Sequence, residues 1–132
     1  MFSGKKEVIF AENAPKAIGP YSLAIRSGSL IFVSGTLGMD PETGELEAGG
    51  IEEQTRKSLE NLSNILVAAR SSLDRVVKTT VFLQDMKEFP QMNAVYAEFF
   101  QKDPPARSTV EVAALPRGAA VEIEAVATVM EG

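Results

Sequence analysis

The first third of the chain alternates apolar runs with short polar segments. Residues 23–33 are mostly apolar but are interrupted at 27–29 by Ser-Gly-Ser, which predicts two strands joined by a turn. Ser34-Gly35-Thr36 follows the second apolar run and is predicted to end that strand. Residues 40–44 then combine Asp, Pro and Gly, a composition typical of a tight turn.

A helical pattern begins after Gly49-Gly50. Apolar or small residues recur there every three or four positions, which places them on one stripe of a helix: Ile51, Thr55, Leu59, Leu62, Leu66 and Ala69. Glu52 and Glu53 fall in the first turn, where the positive end of the helix dipole favours acidic side chains. The segment therefore predicts an amphipathic helix.

The remainder of the chain predicts a strand, a second helix and two more strands. Residues 76–83 are rich in β-branched side chains, as in a buried strand. Pro90 suits a first helical position, and Pro104-Pro105 ends a segment whose apolar face carries Met92, Val95, Tyr96, Phe99 and Phe100. Residues 107–112 and 121–129 are the last two strands. This order predicts one α+β domain over residues 1–132, with both helices on one sheet face. The opposite face is then either solvated or buried by other subunits, and the many β-branched residues favour burial in an oligomer.

Composition limits the chemistry that this domain can perform. The 132 residues include no cysteine and no histidine, so thiolate nucleophiles, Cys-ligated zinc and the usual histidine general base are excluded. Proton transfer is left to Asp, Glu, Lys, Tyr, backbone groups and water. The sequence predicts no metal site.

Charge and hydropathy indicate the environment of the protein. The net charge is −5 and the adjacent basic pairs do not extend into a stripe, which disfavours nucleic-acid binding. The first ten residues match neither a signal peptide nor a transit peptide, and no apolar run reaches the roughly 20 residues of a membrane span. We expect a cytoplasmic protein without a membrane anchor; a mitochondrial location stays open.

Two charged positions are candidates for a site. Alternation along residues 121–127 puts Glu122 and Glu124 on the face opposite the apolar side chains. Carboxylates in so apolar a strand are costly unless they are solvated or paired, so the alternatives are a solvated or ion-paired face and a site that uses a carboxylate. Arg107 opens a strand after a rigid turn. Its guanidinium can hold a carboxylate through two parallel hydrogen bonds, or it can form a surface or intersubunit salt bridge.

Two weaker candidates are Ser34-Gly35 and Tyr21. The first can hold a small polar ligand through its backbone N–H groups and hydroxyl, or can simply be a turn; it lacks the residues of a phosphate-binding loop. Tyr21 follows Gly19-Pro20 and can place its phenol either at a pocket rim or in the core. These residues alone lead no further than an oligomeric α+β domain.

The segment PARSTVEVAALP at 105–116, followed by VEIEA at 121–125, resembles the signature of the RidA family, also called YjgF or L-PSP. The resemblance covers nearly the whole chain, since further ordered matches occur at 13–15, 18–21, 32–35, 40–44, 76–83 and 93–96. It implies a chorismate-mutase-like fold, with one mixed β-sheet and two helices on one face, assembled as a homotrimer with a pocket at each subunit interface.

The resemblance also implies an activity. It identifies the chain as similar to deaminases that hydrolyse 2-iminobutanoate and 2-iminopropanoate, reactive enamine/imine intermediates from pyridoxal-phosphate-dependent dehydratases, to 2-keto acids and ammonia without a cofactor. By matching position, Arg107 binds the substrate carboxylate and Glu122 lies near the hydrolytic water. The other matching positions surround the ligand: Tyr21, Ser34, Gly35, Asn93 and Thr109.

Two positions depart from the common pattern of the family. Thr109 stands where many members carry Cys, so a thiol is not essential to the chemistry of this chain. Thr36 replaces a common Gln, which changes the expected pocket shape. Two other functions remain open: a translation-inhibiting endoribonuclease, disfavoured by the acidic charge and the missing histidine, and a noncatalytic trimer that binds small carboxylates through Arg107.

Overall fold

A computed structural model describes residues 5–130 of the chain. Six strands form one mixed sheet in the order β1-β2-β3-β6-β4-β5, in which only β4 and β5 are parallel among the described strand pairs. The elements are β1 (Glu7–Ile9), β2 (Ala24–Ser27), β3 (Leu30–Leu37), α1 (Ile51–Ala68), β4 (Val76–Leu83), α2 (Phe89–Phe99), β5 (Ala106–Glu111) and β6 (Val121–Thr128). Neither described helix is long and apolar enough to cross a membrane.

The predicted α+β architecture is confirmed, with both helices on one face of the sheet. The stripe on α1 is buried against that face, together with the inward-pointing residues of β4 and β6, which include Val81, Leu83, Val121 and Ile123. Burial and the hydrophobic effect thus fix which side of each strand the helices cover. We call the opposite side of the sheet the open face.

Three details differ from the sequence prediction, besides one-residue shifts at the ends of β5 (predicted at 107–112) and β6 (predicted at 121–129). β1 was not predicted, because three residues are too short to show an alternation. α2 begins at Phe89, one residue before the proline expected to open it. β3 continues to Leu37 instead of ending at 34–36, since its register against β6 shifts between Val33 and Thr36. Val33 pairs with Ala125 and Thr36 with Ile123, so Ser34 and Gly35 together form a β-bulge.

Buried polar side chains fasten α1 to the end of β3. Asn61 is almost fully buried, and its Nδ2 donates to the carbonyl oxygens of Leu37 (3.1 Å) and Met39 (2.8 Å). Ser58 donates to the Thr36 carbonyl at 2.9 Å, and the Thr36 hydroxyl donates to the Ile123 carbonyl at 2.7 Å. These bonds hold the strand end after the bulge in a fixed position beside the helix.

Asn61→Ala is expected to lower the free energy of unfolding by about 2–3 kcal/mol, because two carbonyl groups lose their donor at a buried position. Asn64→Ala is the matched control: Asn64 lies one turn further along α1 and makes one exposed hydrogen bond, to the Asn13 carbonyl. We expect it to cost less than about 1 kcal/mol. Urea unfolding of both variants measures the difference, and equal stabilities would show that the Asn61 bridge is dispensable.

Candidate functional site

A pocket opens where β3 loses its neighbour on one side. β2 pairs with β3 only as far as Val33, so the later part of β3 faces the irregular segment 15–23 instead of a strand. The cavity between them has a volume of about 270 Å³. Four of the predicted site residues line it: Tyr21, Ser34, Gly35 and Glu122. We call it the Glu122 pocket.

Glu122 lies directly against the backbone of the bulge. A Cβ atom added to Gly35 would stand 2.6 Å from the Glu122 side-chain carboxyl carbon, so any side chain at this position would displace the carboxyl group from its place against the bulge. Glu122 is half-buried, and burial, followed by repulsion from Glu124, raises the pKa of its carboxyl group. The group therefore keeps a proton to higher pH than an ordinary glutamate, as suits an acid–base residue.

Tyr21 and Ser34 form part of the pocket mouth. The Tyr21 hydroxyl accepts a long hydrogen bond from the Ile18 N–H at 3.5 Å, and about half of the side chain is exposed. Ser34 donates its hydroxyl hydrogen to the Ser22 carbonyl at 2.6 Å, and its N–H donates to the Leu23 carbonyl. Ser34 thus positions the segment that carries Tyr21, and its hydroxyl proton is already engaged.

The other three predicted residues lie elsewhere in the chain. Arg107 pairs with Thr79 across β4 and β5, on the side of the sheet that the helices cover. Its guanidinium carbon is 4.7 Å from the ring centroid of Tyr96 and 5.5 Å from that of Phe89, within cation–π range. Asn93 is four residues after Phe89 and three before Tyr96, so the same face of α2 presents all three.

Thr109 belongs to this second group, because it lies two residues beyond Arg107 on the same side of β5. Its hydroxyl oxygen is buried and has no hydrogen-bond partner among the described residues. The Tyr96 ring beneath the guanidinium is fixed by a 2.7 Å hydrogen bond between its hydroxyl and that of Thr79. We call Arg107, Asn93 and Thr109 the α2–β5 group.

The two groups do not share a pocket within one chain. Glu122 pairs with Phe82 and points to the open face, whereas Arg107, on β5, points to the opposite face, and β4 separates β5 from β6. Arg107 is absent from the lining of the Glu122 pocket. Within residues 5–130, no group of three or more acidic side chains could hold a metal ion.

Other residues of the pocket were not predicted from the sequence. Lys16 lies at its mouth, and Leu37, Met39, Asn61 and Ile65 line it further inside. The one available signal was Asn61, a polar residue beside the apolar stripe of α1. Lys16 is an exposed lysine in an irregular segment, and Leu37, Met39 and Ile65 are ordinary apolar residues that local pattern does not distinguish from core.

Comparison with known proteins places the chain in a family. Residues 11–129 match the family model described as Endoribonuclease L-PSP. The chain is 48% identical over 122 residues to the 2-iminobutanoate/2-iminopropanoate deaminase of Mus musculus, covering 92% of this chain and 90% of the mouse protein. It is 48% identical over 126 residues to the chloroplastic Reactive Intermediate Deaminase A of Arabidopsis thaliana, covering 96% of this chain and 67% of the plant protein.

A solved structure agrees with these matches. The crystal structure of E. coli TdcF with bound serine superposes with a TM-score of 0.89 at 42% identity, covering 94% of this chain and 99% of TdcF. The family match spans most of the chain, and the fold, with its single mixed sheet and two helices on one face, is the one that the resemblance implied. The chain belongs to the RidA family, whose model carries the description Endoribonuclease L-PSP.

Proposed function

We propose that this chain is an imine deaminase that hydrolyses 2-imino acids, 2-iminobutanoate and 2-iminopropanoate among them, to 2-keto acids and ammonia. The observation that carries the proposal is the position of the Glu122 carboxyl group. It is half-buried in a largely apolar pocket, lies against the backbone of Gly35, and has a raised pKa. Relatives that bear the name deaminase, in mouse and in Arabidopsis, support the same reaction class.

The chemistry needs a positioned water and a group that moves one proton. Glu122 as carboxylate takes a proton from water while the oxygen attacks the carbon of the protonated imine, which gives a neutral carbinolamine. The carboxylic acid then returns the proton to the amino group. The C–N bond breaks and ammonia leaves while the hydroxyl group gives its proton to the regenerated Glu122 carboxylate and becomes the ketone; ammonia or water then takes up that proton. A protonated imine is already electrophilic, so orientation and one proton relay suffice, and this scheme requires no cofactor.

The substrate carboxylate requires a cation, and Arg107 is the candidate. Since Arg107 does not reach the Glu122 pocket of its own chain, we propose that a neighbouring copy in a homotrimer supplies it, together with Asn93 and Thr109. The open face supports self-association: Val8, Ile25, Phe32 and Val126 are register partners in one row across four strands. Val8 and Phe32 are exposed in the isolated chain, an arrangement that favours burial by another subunit.

The proposed ligands include the small acids released by pyridoxal-phosphate-dependent dehydratases. The serine in TdcF is a small carboxylate of this size class. We also propose that the protein acts in the cytoplasm.

The endoribonuclease description of the family supplies a second candidate function. The chain has no histidine and carries a net charge of −5, and among the described residues that line the Glu122 pocket only Lys16 is cationic. Phosphate binding depends on cationic surface, so we rank RNA cleavage below imine hydrolysis. Absence of RNA binding by purified protein across salt concentrations would eliminate it.

The purified protein is expected to accelerate keto-acid release when a dehydratase generates the imine in the assay. Light scattering in the same buffer is expected to give the mass of a trimer. A folded trimer that leaves the rate of keto-acid release unchanged would reject the deaminase and favour a noncatalytic carboxylate-binding trimer. A folded monomer would reject the shared site.

A further inference from the structure

The Glu122 pocket is graded from an exposed mouth to a buried inner end. At the mouth, Ile18 is 64% exposed and Tyr21 49%. At the inner end, Met39 is 7% exposed and Ile65 1%. The inner end therefore lies between β3 and α1, inside the chain, and does not depend on a neighbouring subunit.

The inner end has no free side-chain donor among its lining residues. Asn61 Nδ2 already donates to the carbonyl groups of Leu37 and Met39. The Thr36 hydroxyl donates to the Ile123 carbonyl at 2.7 Å and contacts the Ser58 hydroxyl at 3.2 Å. The remaining inner surface is aliphatic or thioether. A carboxylate placed there would lose its hydration without gaining a donor, so the inner end selects an apolar occupant.

The cavity is also larger than the smallest substrates need. The cavity has a volume of about 270 Å³. A three-carbon imino acid has about the bulk of six waters, at roughly 30 Å³ for each water, and would leave part of this space unfilled. Its methyl group would reach little of the Met39 and Ile65 surface.

We infer that the chain favours 2-imino acids with a branched or extended aliphatic side chain over those with a methyl or ethyl group. The polar head stays at the mouth beside Glu122, and the side chain fills the inner end beside Leu37, Met39 and Ile65. This inference rests on the proposed function and adds a substrate class to it. Each additional buried methylene is expected to raise kcat/KM about fourfold.

The test uses imines generated in the assay from leucine, alanine and glutamate by an amino-acid oxidase, with a semicarbazide trap competing for the imine. The imine of leucine is expected to give a kcat/KM about tenfold or more above that of alanine, and the imine of glutamate the lowest value. Turnover of the alanine imine at a rate equal to or above that of leucine rejects the inference alone. No acceleration with any of the three rejects the proposed function and the inference with it.

A larger side chain at the inner end of the pocket tests the inference directly, and the same substitution outside the pocket is the matched control. Leu37→Phe is expected to lower the leucine-to-alanine ratio of kcat/KM at least about fivefold, because the larger ring occupies the space of the aliphatic side chain. Leu30→Phe makes the same substitution at the other end of β3, outside the pocket, and should leave that ratio unchanged. The ratio is independent of the folded fraction; if Leu37→Phe does not fold, Leu23→Phe fills the same pocket from the loop. An unchanged ratio in the filling variant overturns the assignment.

Discussion

Arg107→Ala is expected to lower kcat/KM for 2-imino acids about a hundredfold while the protein stays folded. The guanidinium would bind the substrate carboxylate through charge-assisted hydrogen bonds of about 1.5–3 kcal/mol each. Losing roughly 3 kcal/mol of transition-state stabilisation corresponds to that factor in rate. The measurement is steady-state keto-acid release by the wild type and the variant.

The controls separate ligand binding from packing, since Arg107 also stacks on Tyr96 and Phe89. That stacking contributes about 0.5–1 kcal/mol, so thermal unfolding should report only a small loss of stability. Arg107→Lys keeps the charge but not the planar fork, and we expect it to recover only a small part of the activity. Arg56→Ala, which removes a surface ion pair with Glu98, is the matched arginine control and should retain full activity. Full activity of Arg107→Ala would show that this arginine only supports the scaffold.

Glu122→Gln is expected to lower kcat about a hundredfold, since general acid–base catalysis typically contributes 10²–10⁴-fold and glutamine does not exchange protons. The amide has nearly the shape of the carboxyl group, so the contact with Gly35 is retained. Glu124→Gln is the control, because this neighbour on β6 is exposed and does not line the pocket. Unimpaired turnover by Glu122→Gln would show that Glu122 does not activate the attacking water, and that a backbone carbonyl group orients it instead.

The dependence of the turnover rate on pH gives an independent test of the role of the Glu122 carboxyl group. If its carboxylate is the active form, the rate falls as the pH drops through the raised pKa, and the decline begins at higher pH than for an ordinary glutamate. Glu124→Gln removes a repulsion that raises this pKa, so the acid limb should move to lower pH. An acid limb that stays in place in Glu122→Gln would belong to another group.

The sequence predicted most of the fold because burial imposes clear periods on it. The stripe on α1 and the alternation in β6 both follow from one apolar face per element, and both are observed. β1 was missed, since three edge residues contain too little pattern. The bulge at Ser34 and Gly35 was read as a strand end, because a single extra residue interrupts the alternation on which the prediction depends.

The residues of the site were harder to predict from the sequence than the fold. Glu122 stood out as a carboxylate in an apolar strand, and its place in a pocket is observed. Leu37, Met39 and Ile65 carry no such contrast, since an apolar pocket wall and a core have the same composition. The distance between Arg107 and Glu122 depends on which strands are neighbours and which faces they present, and a one-dimensional sequence does not contain the second copy that would join them.

The irregular pairing of β3 has a consequence for how this protein tolerates change in chain length. Between Val33 and Thr36 the strand advances three residues while β6 advances two. Deleting Gly35 would restore continuous pairing with β6, but it would also remove the one residue of the bulge that has no side chain beside the Glu122 carboxyl group. Substitutions around the pocket can therefore change what it binds. A deletion of Gly35, by contrast, would make the sheet more regular and leave the Glu122 carboxyl group without the space that it occupies beside the bulge.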